Sequence, residues 1–324
     1  MQIGYKLATE ALPTADIVDM AVAAEEAGFD FVNLSDHFHP WLDATPHASF
    51  VWSVLGAIAA RTERVGLVTG VTCPHFRYHP AIVAQAAVTV QNLSNGRFTL
   101  GVGAGERLNE HIAGDFPSIR VRHERFREAL EIIRLLWQGG YRSYRGEHLT
   151  LDDAQVFELP ERLPPIAVAV SGQQAVKIAL ELGDGLFGTE PKPELVGGYT
   201  DGGGTGPRYC EVPLAWAPEE ASALDALQQN TRFAVLPWKV LSELPNPVNF
   251  EAATATVGPE ALGQFFAVGP DVDEHVAVVQ KFVDAGYDHL TLQNASPDPA
   301  GALRFYRDEL MPRIRSLTAH TAAA

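Results

Sequence analysis

The strongest constraint on the fold is a rhythm: eight short apolar runs, most of them separated by helix-like stretches. The runs are residues 3–6, 31–35, 65–71, 98–102, 166–170, 185–189, 212–216 and 289–293. Between them, residues 15–27 run up to Gly28, a residue type that commonly closes helices. Residues 80–93 open on Pro80, which suits a first helical turn. Residues 122–138 space Phe126, Leu130, Ile133, Leu136 and Trp137 at helical intervals and stop at Gly139. Residues 174–182 stop before Gly183. Eight strand–helix units predict an α/β fold, a closed (β/α)8 TIM barrel. With no linker-like break, residues 1–324 are expected to form one domain.

Two segments interrupt the rhythm and are expected as insertions. Residues 141–164 show alternation near 147–151 and prolines at the far end. Residues 236–257 are rich in Pro and Asn. Such insertions serve as substrate lids or as packing loops. The run Gly202–Gly204 marks a turn before the seventh strand, and the tail after Leu317 is expected to fray.

A net charge of −16 argues against nucleic acid as a partner, because phosphate backbones are repelled. No apolar run approaches the ~18 residues of a membrane helix, so no membrane partner is expected. The two cysteines, Cys73 and Cys210, form no metal-binding spacing. A strand-like run begins at Ile3 with no targeting segment before it, which predicts a cytoplasmic protein.

In a barrel of this kind the chemistry lies where strands end. The first strand leads through Lys6 towards Glu10. The second ends in Ser35-Asp36-His37-Phe38-His39-Pro40-Trp41, the densest cluster of polar and aromatic groups. His37 can move a proton near neutrality, Asp36 can orient a ring or hold a cofactor edge, and Trp41 can form a wall. The pair His37 and His39 also suggests a metal, but later strand ends do not supply the remaining ligands. The third strand ends in Gly70-Val71-Thr72-Cys73-Pro74-His75. The fourth ends in Gly101-Val102-Gly103-Ala104-Gly105-Glu106, where glycines let a flat ring approach the backbone. Glu106 reads as a rim acid, a solvated carboxylate or a helix-start partner. Ser171-Gly172-Gln173-Gln174 opens a helix, which suits a phosphate or a plain serine cap. Arg77 reads as a ligand for an anionic tail or as a partner of a surface carboxylate.

Taken together, Gly4-Tyr5-Lys6, the Ser35–Trp41 segment, Phe76-Arg77-Tyr78-His79-Pro80, the stretch from Gly101 to Glu110, and Gly183-Asp184-Gly185 resemble the coenzyme F420-dependent glucose-6-phosphate dehydrogenases and their relatives in the luciferase-like superfamily. The resemblance spans nearly the whole chain. It implies a deazaflavin across the C-terminal mouth of the barrel, accepting hydride from a substrate hydroxyl carbon (a sugar phosphate, a sugar or an alcohol). It implies that His37 accepts the hydroxyl proton, Glu106 exchanges a proton with the ring, Trp41 steadies the intermediate and contacts substrate, and Glu10 is an active-site carboxylate. Asp36, Gly70, Val71, Cys73, Ala104, Gly105 and Asn109 match cofactor-lining positions, with Gly70 and Cys73 standing where Ser and Thr are usual. Ser171, Gly172, Gln173 and Gln174 match the site of the cofactor phosphate. Lys192 matches one of three cations that hold a substrate phosphate; the others fall near Leu241-Ser242, with Lys239 close by but unaligned, and near Gln264. The resemblance also implies a non-proline cis peptide between Gly70 and Val71, and a homodimer. An FMN-dependent monooxygenase or reductase on the same barrel is the alternative, and an inert flavin-binding barrel a further one.

Overall fold

The computed structural model describes residues 1–320. Eight parallel strands close into a barrel in which each is bonded to its neighbours in sequence, the last to the first. They are Gln2–Leu7, Phe31–Leu34, Gly66–Thr69, Phe98–Val102, Ile166–Ala169, Gly185–Gly188, Arg208–Val212 and His289–Leu292. Helices Thr14–Glu26, Val51–Arg61, Pro80–Leu93, Ile119–Leu136, Gln173–Leu182, Pro193–Asp201 and Val272–Asp284 are among those packed around it. The fold is the expected TIM barrel.

Strand side chains alternate between two apolar layers, as a closed sheet requires. Ile3, Tyr5, Leu7, Val32 and Leu34 pack outward against the helices. Phe31, Val68, Ala167, Phe187 and Tyr209 fill the lumen, with the Phe187 and Tyr209 rings stacked 6.2 Å apart. The lumen is a packed core, so a ligand has access only at its ends.

The seventh strand corrects the sequence reading. It lies at Arg208–Val212 instead of residues 212–216. The apolar run that suggested the later position contains Leu214–Ala215, which leaves the barrel and pairs with Ala267–Val268. The true strand carries Arg208 and Glu211, whose charges hide it from a hydropathy reading. The first insertion is an antiparallel hairpin, Arg142–Arg145 with Thr150–Ala154. The second is built from short helices, Trp238–Leu241 and Pro247–Ala253. The tail is tied down at first: Thr318 O accepts from Gln280 Nε2, and His320 N donates to Asp284. The last four residues of the segment expected to fray lie outside the described residues. Among the described residues no helix is long and apolar enough to cross a membrane.

Candidate active site

The C-terminal mouth begins with a polar plug. Lys6 Nζ lies 2.5 Å from Glu211 Oε1 and also donates to Gly70 O at 3.3 Å. Gln293 Nε2 donates to the other Glu211 oxygen at 3.1 Å. Glu211 escaped the sequence reading; its only signal is a charge inside the otherwise apolar stretch Tyr209–Val212. Beside the plug, buried Glu10 accepts hydrogen bonds from Ser35 Oγ and, at 3.5 Å, from Thr9 Oγ1. Burial pushes its carboxyl up, but His37, Lys6 and Ser35 together hold it below the usual range. Glu10 is therefore an anion facing the histidine.

Asp36 is fixed from three sides. Arg77 Nη1 donates to its Oδ1 at 3.1 Å, Tyr78 OH to the same oxygen at 3.0 Å, and Thr72 Oγ1 to Oδ2 at 2.8 Å. Arg77 Nε donates to Glu110 Oε1 at 3.0 Å. Arg77 thus holds neither an anionic tail nor a surface carboxylate; it bridges two buried acids. The sequence missed Glu110 as a partner because its position follows from the fold alone. Burial pushes the Glu110 carboxyl up to about 7, Glu106 adds to this, and Arg77 opposes it. A carboxyl whose folded pKa is raised contributes least to stability once it ionises. Between about pH 5 and 7, ionisation of Glu110 is therefore expected to lower stability as pH rises. Glu110→Gln removes that proton, so denaturation midpoints of the variant should decline less over this window than those of the parent. Parallel declines would exclude Glu110 as the titrating group.

Asn109, fully buried, joins the two acid–base segments. Its Oδ1 accepts from Phe38 N at 2.7 Å and His39 N at 3.0 Å, and its Nδ2 donates to Glu106 Oε1. The loop bearing His37 and the rim acid are therefore held by one side chain. Glu106 stands where its helix begins but its side chain caps nothing there. His37 Nδ1 lies 3.1 Å from His39 O, which favours a proton on Nδ1 and leaves Nε2 as the basic nitrogen. The His37 ring packs 4.9 Å from that of Trp41. Trp41 in turn stacks on Phe233 at 4.7 Å and meets Phe250 edge-on at 5.1 Å. Phe250 belongs to the second insertion, which thus builds the aromatic wall behind His37.

The fourth-strand glycines lie across from the third-strand end. The peptide between Gly70 and Val71 is cis, as the resemblance implies. A Cβ at Gly103 would sit 3.0 Å from Val71 Cγ2. Gly105 has φ +81°, and a Cβ there would come within 2.7 Å of Cys73 Sγ. Burial and the Glu110 charge hold the Cys73 thiol well above its usual pKa, so Cys73 serves as surface for packing and not as a nucleophile.

A second cluster forms at the ends of strands five and six. Helix Gln173–Leu182 begins at Gly172 with no side-chain cap, so Ser171 does not close it. Its first turn is bonded from Ala175 and Val176 to Gly172 O, leaving Gln173 and Gln174 N–H groups for a ligand. Exposed Ser171 shares a cleft with Thr189, Glu190, Lys192 and Trp238. Lys192 Nζ is 2.5 Å from Glu190 Oε2. Gln173 turns its side chain to Glu194 O. Among the described residues no group of three His, Cys, Asp or Glu side chains is placed to hold a metal ion. His39 Nδ1 instead meets Leu108 O at 2.9 Å.

This barrel and mouth have counterparts in known proteins. The family described as luciferase-like monooxygenase matches residues 1–197. An F420-dependent glucose-6-phosphate dehydrogenase of Microbacterium testaceum is 34% identical, covering 97% of this chain and 98% of that one. One from Mycobacterium avium is 34% identical over 98% of this chain and 99% of its own length. The solved structure of an F420-dependent secondary alcohol dehydrogenase in complex with an F420-acetone adduct superposes with TM-score 0.90 and 28% identity, covering 97% of this chain and 99% of that one. The chain belongs to the luciferase-like monooxygenase family, in the group that includes the F420-dependent glucose-6-phosphate dehydrogenases.

Proposed function

We propose that the chain is a coenzyme F420-dependent oxidoreductase that takes hydride from the hydroxyl-bearing carbon of a small substrate. The observation that carries this reading is that Asn109 ties the loop bearing a base, His37, to a rim acid, Glu106, at the glycine-rich end of the fourth strand. The relatives act on carbon–hydroxyl donors by their names: glucose 6-phosphate in one case, a secondary alcohol in the other.

The residues present fit a deazaflavin. Gly103 and Gly105 admit the Val71 and Cys73 side chains against the end of the fourth strand, where a Cβ would push them away, so the third-strand end lies close against it as a wall for a planar ring. Val71 packs against Gly103, and Thr72 next to it bonds to Asp36, so Asp36, Gly70 and Val71 belong to the strand ends that face the fourth. The uncapped helix start at Gly172, Gln173 and Gln174, with Ser171 beside it, would receive a phosphate. When bound, the deazaflavin supplies a two-electron hydride acceptor.

The rest of the work belongs to the chain. His37 Nε2 takes the hydroxyl proton, because a carbinol releases hydride readily only as its oxygen loses a proton. Anionic Glu10 faces the ring on which that positive charge develops. Trp41, braced by Phe233 and Phe250, shields that charge and excludes water. Glu106 keeps Oε2 free to exchange a proton at the rim while Asn109 holds Oε1.

Titrating the purified protein with F420 and with FMN tests the cofactor. F420 is expected to bind in the micromolar range or tighter, and FMN far more weakly; the reverse order would favour the FMN-dependent reading. We further propose that the 324 residues act as one cytoplasmic domain that pairs as a homodimer. Sedimentation should give twice the chain mass of 35.1 kDa, and a species at the single mass at all concentrations would contradict the pairing.

A further inference from the structure

Three cations at the strand ends are already engaged. Lys6 is bound to Glu211, Arg77 to Asp36 and Glu110, and Lys192 to Glu190. In the cleft that holds Lys192, the short helix Trp238–Leu241 contributes Trp238, while Lys239 lies outside the lining. A phosphate entering there would meet the Glu190 carboxylate as well as a lysine that is already paired. Among the described residues Lys192, already paired, is the one cation lining that cleft, and the free N–H groups of Gln173 and Gln174 beside it are those assigned to the cofactor phosphate, so a second phosphate gains few charge-assisted bonds. One side of the His37 ring is apolar: Trp41 packs on it and, with Phe233 and Phe250, forms one aromatic wall. Hydrocarbon laid against that wall leaves water at a gain.

We propose that this site takes a neutral alcohol with an aromatic or branched hydrocarbon flank and discriminates against phosphorylated alcohols, with Glu190 masking Lys192 and the Trp41–Phe233 stack seating the flank. The proposal rests on the F420-dependent dehydrogenase reading. In the reaction the alcohol gives up its carbon-bound hydrogen with both bonding electrons, the deazaflavin being the oxidant, and its hydroxyl proton to His37. It leaves as the corresponding carbonyl compound, so atoms and charge balance. Glu190 and Phe233 are specificity-determining residues in this scheme and take no part in the proton transfer.

The test uses the full-length protein loaded with F420. Its first arm is a fluorescence titration of F420 without substrate. The second compares 1-phenylethanol with glucose 6-phosphate, by steady-state kinetics and by calorimetric binding. We expect kcat/KM for 1-phenylethanol to exceed that for glucose 6-phosphate by at least about tenfold, with weak binding of the phosphate. The Glu190–Lys192 pair is 42% and 39% exposed, so unmasking is screened and its effect modest. Glu190→Gln should tighten glucose 6-phosphate binding by about three- to tenfold and leave KM for 1-phenylethanol within about twofold, the scale of a partly exposed ion pair. Phe233→Ala should raise that KM by about tenfold, the scale of losing a stacked aromatic contact, while F420 affinity holds. If F420 binds and glucose 6-phosphate is both the better substrate and unaffected by Glu190→Gln, this proposal is overturned and the dehydrogenase reading stands. If F420 does not bind at all, the dehydrogenase reading fails and takes the proposal with it.

Discussion

His37→Ala is expected to slow substrate oxidation by about 10²–10⁴-fold, the usual worth of a positioned proton acceptor. F420 affinity should change little, because His37 packs on Trp41 and bonds to His39 O, away from the helix start that would receive the cofactor phosphate. Its consequences are also local to the loop: Phe38 N and His39 N keep their bonds to Asn109, so the backbone has no reason to move. The loss should therefore sit in kcat, and raising pH should recover part of it as the substrate hydroxyl loses its proton unaided. Glu106→Gln gives the contrast, since it keeps shape and a partner for Asn109 but removes the exchangeable proton. If His37→Ala turns over like the parent, the base is elsewhere, with Glu10 and His39 the nearest candidates.

Arg77→Met is expected to cost about 3–5 kcal/mol of stability, the usual cost of removing one partner from a buried ion cluster. The Arg77 side chain is 8% exposed, and those of Asp36 and Glu110 are each 1% exposed. Without the guanidinium, Asp36 keeps its bonds from Thr72 and Tyr78, whereas Glu110 loses the bond and the charge of the guanidinium and keeps only the bond from the backbone N–H of residue 77. Glu110 would answer by holding its proton, which limits the damage at low pH; the loss should grow as pH rises. Arg77→Lys keeps the charge but not the fork that reaches two acids, so it should fall between parent and Met. Urea denaturation at two pH values reads the effect. A loss below about 1 kcal/mol would place the cluster among dispensable surface pairs.

Much of the architecture was legible in the sequence because burial on both faces makes barrel strands continuous apolar runs. The run from Phe98 to Val102 needed no correction. The seventh strand was legible only in part, since Glu211 points into the polar plug with Lys6 and breaks the pattern at the point where the site needs a charge. The strand-two cluster and the glycine turn were readable because their residues are adjacent in sequence. The links between them were not: Asn109 reaches Phe38 across 71 positions, and Arg77 reaches Asp36 across 41. Nor could residue types alone show that Glu190 engages Lys192, or that Phe250 arrives behind Trp41 from the second insertion. Such pairings follow from closing the barrel.

The central claim is that hydride leaves a hydroxyl-bearing carbon for the deazaflavin in this mouth. An alcohol substrate carrying deuterium on that carbon tests it most directly, with reduced F420 recovered and weighed by mass spectrometry after a single turnover. The account predicts one deuterium in the reduced cofactor, a slower transfer than with the unlabelled alcohol, and the carbonyl product in equal amount. Reduced F420 without the label, or product formed while F420 stays oxidised, would contradict it.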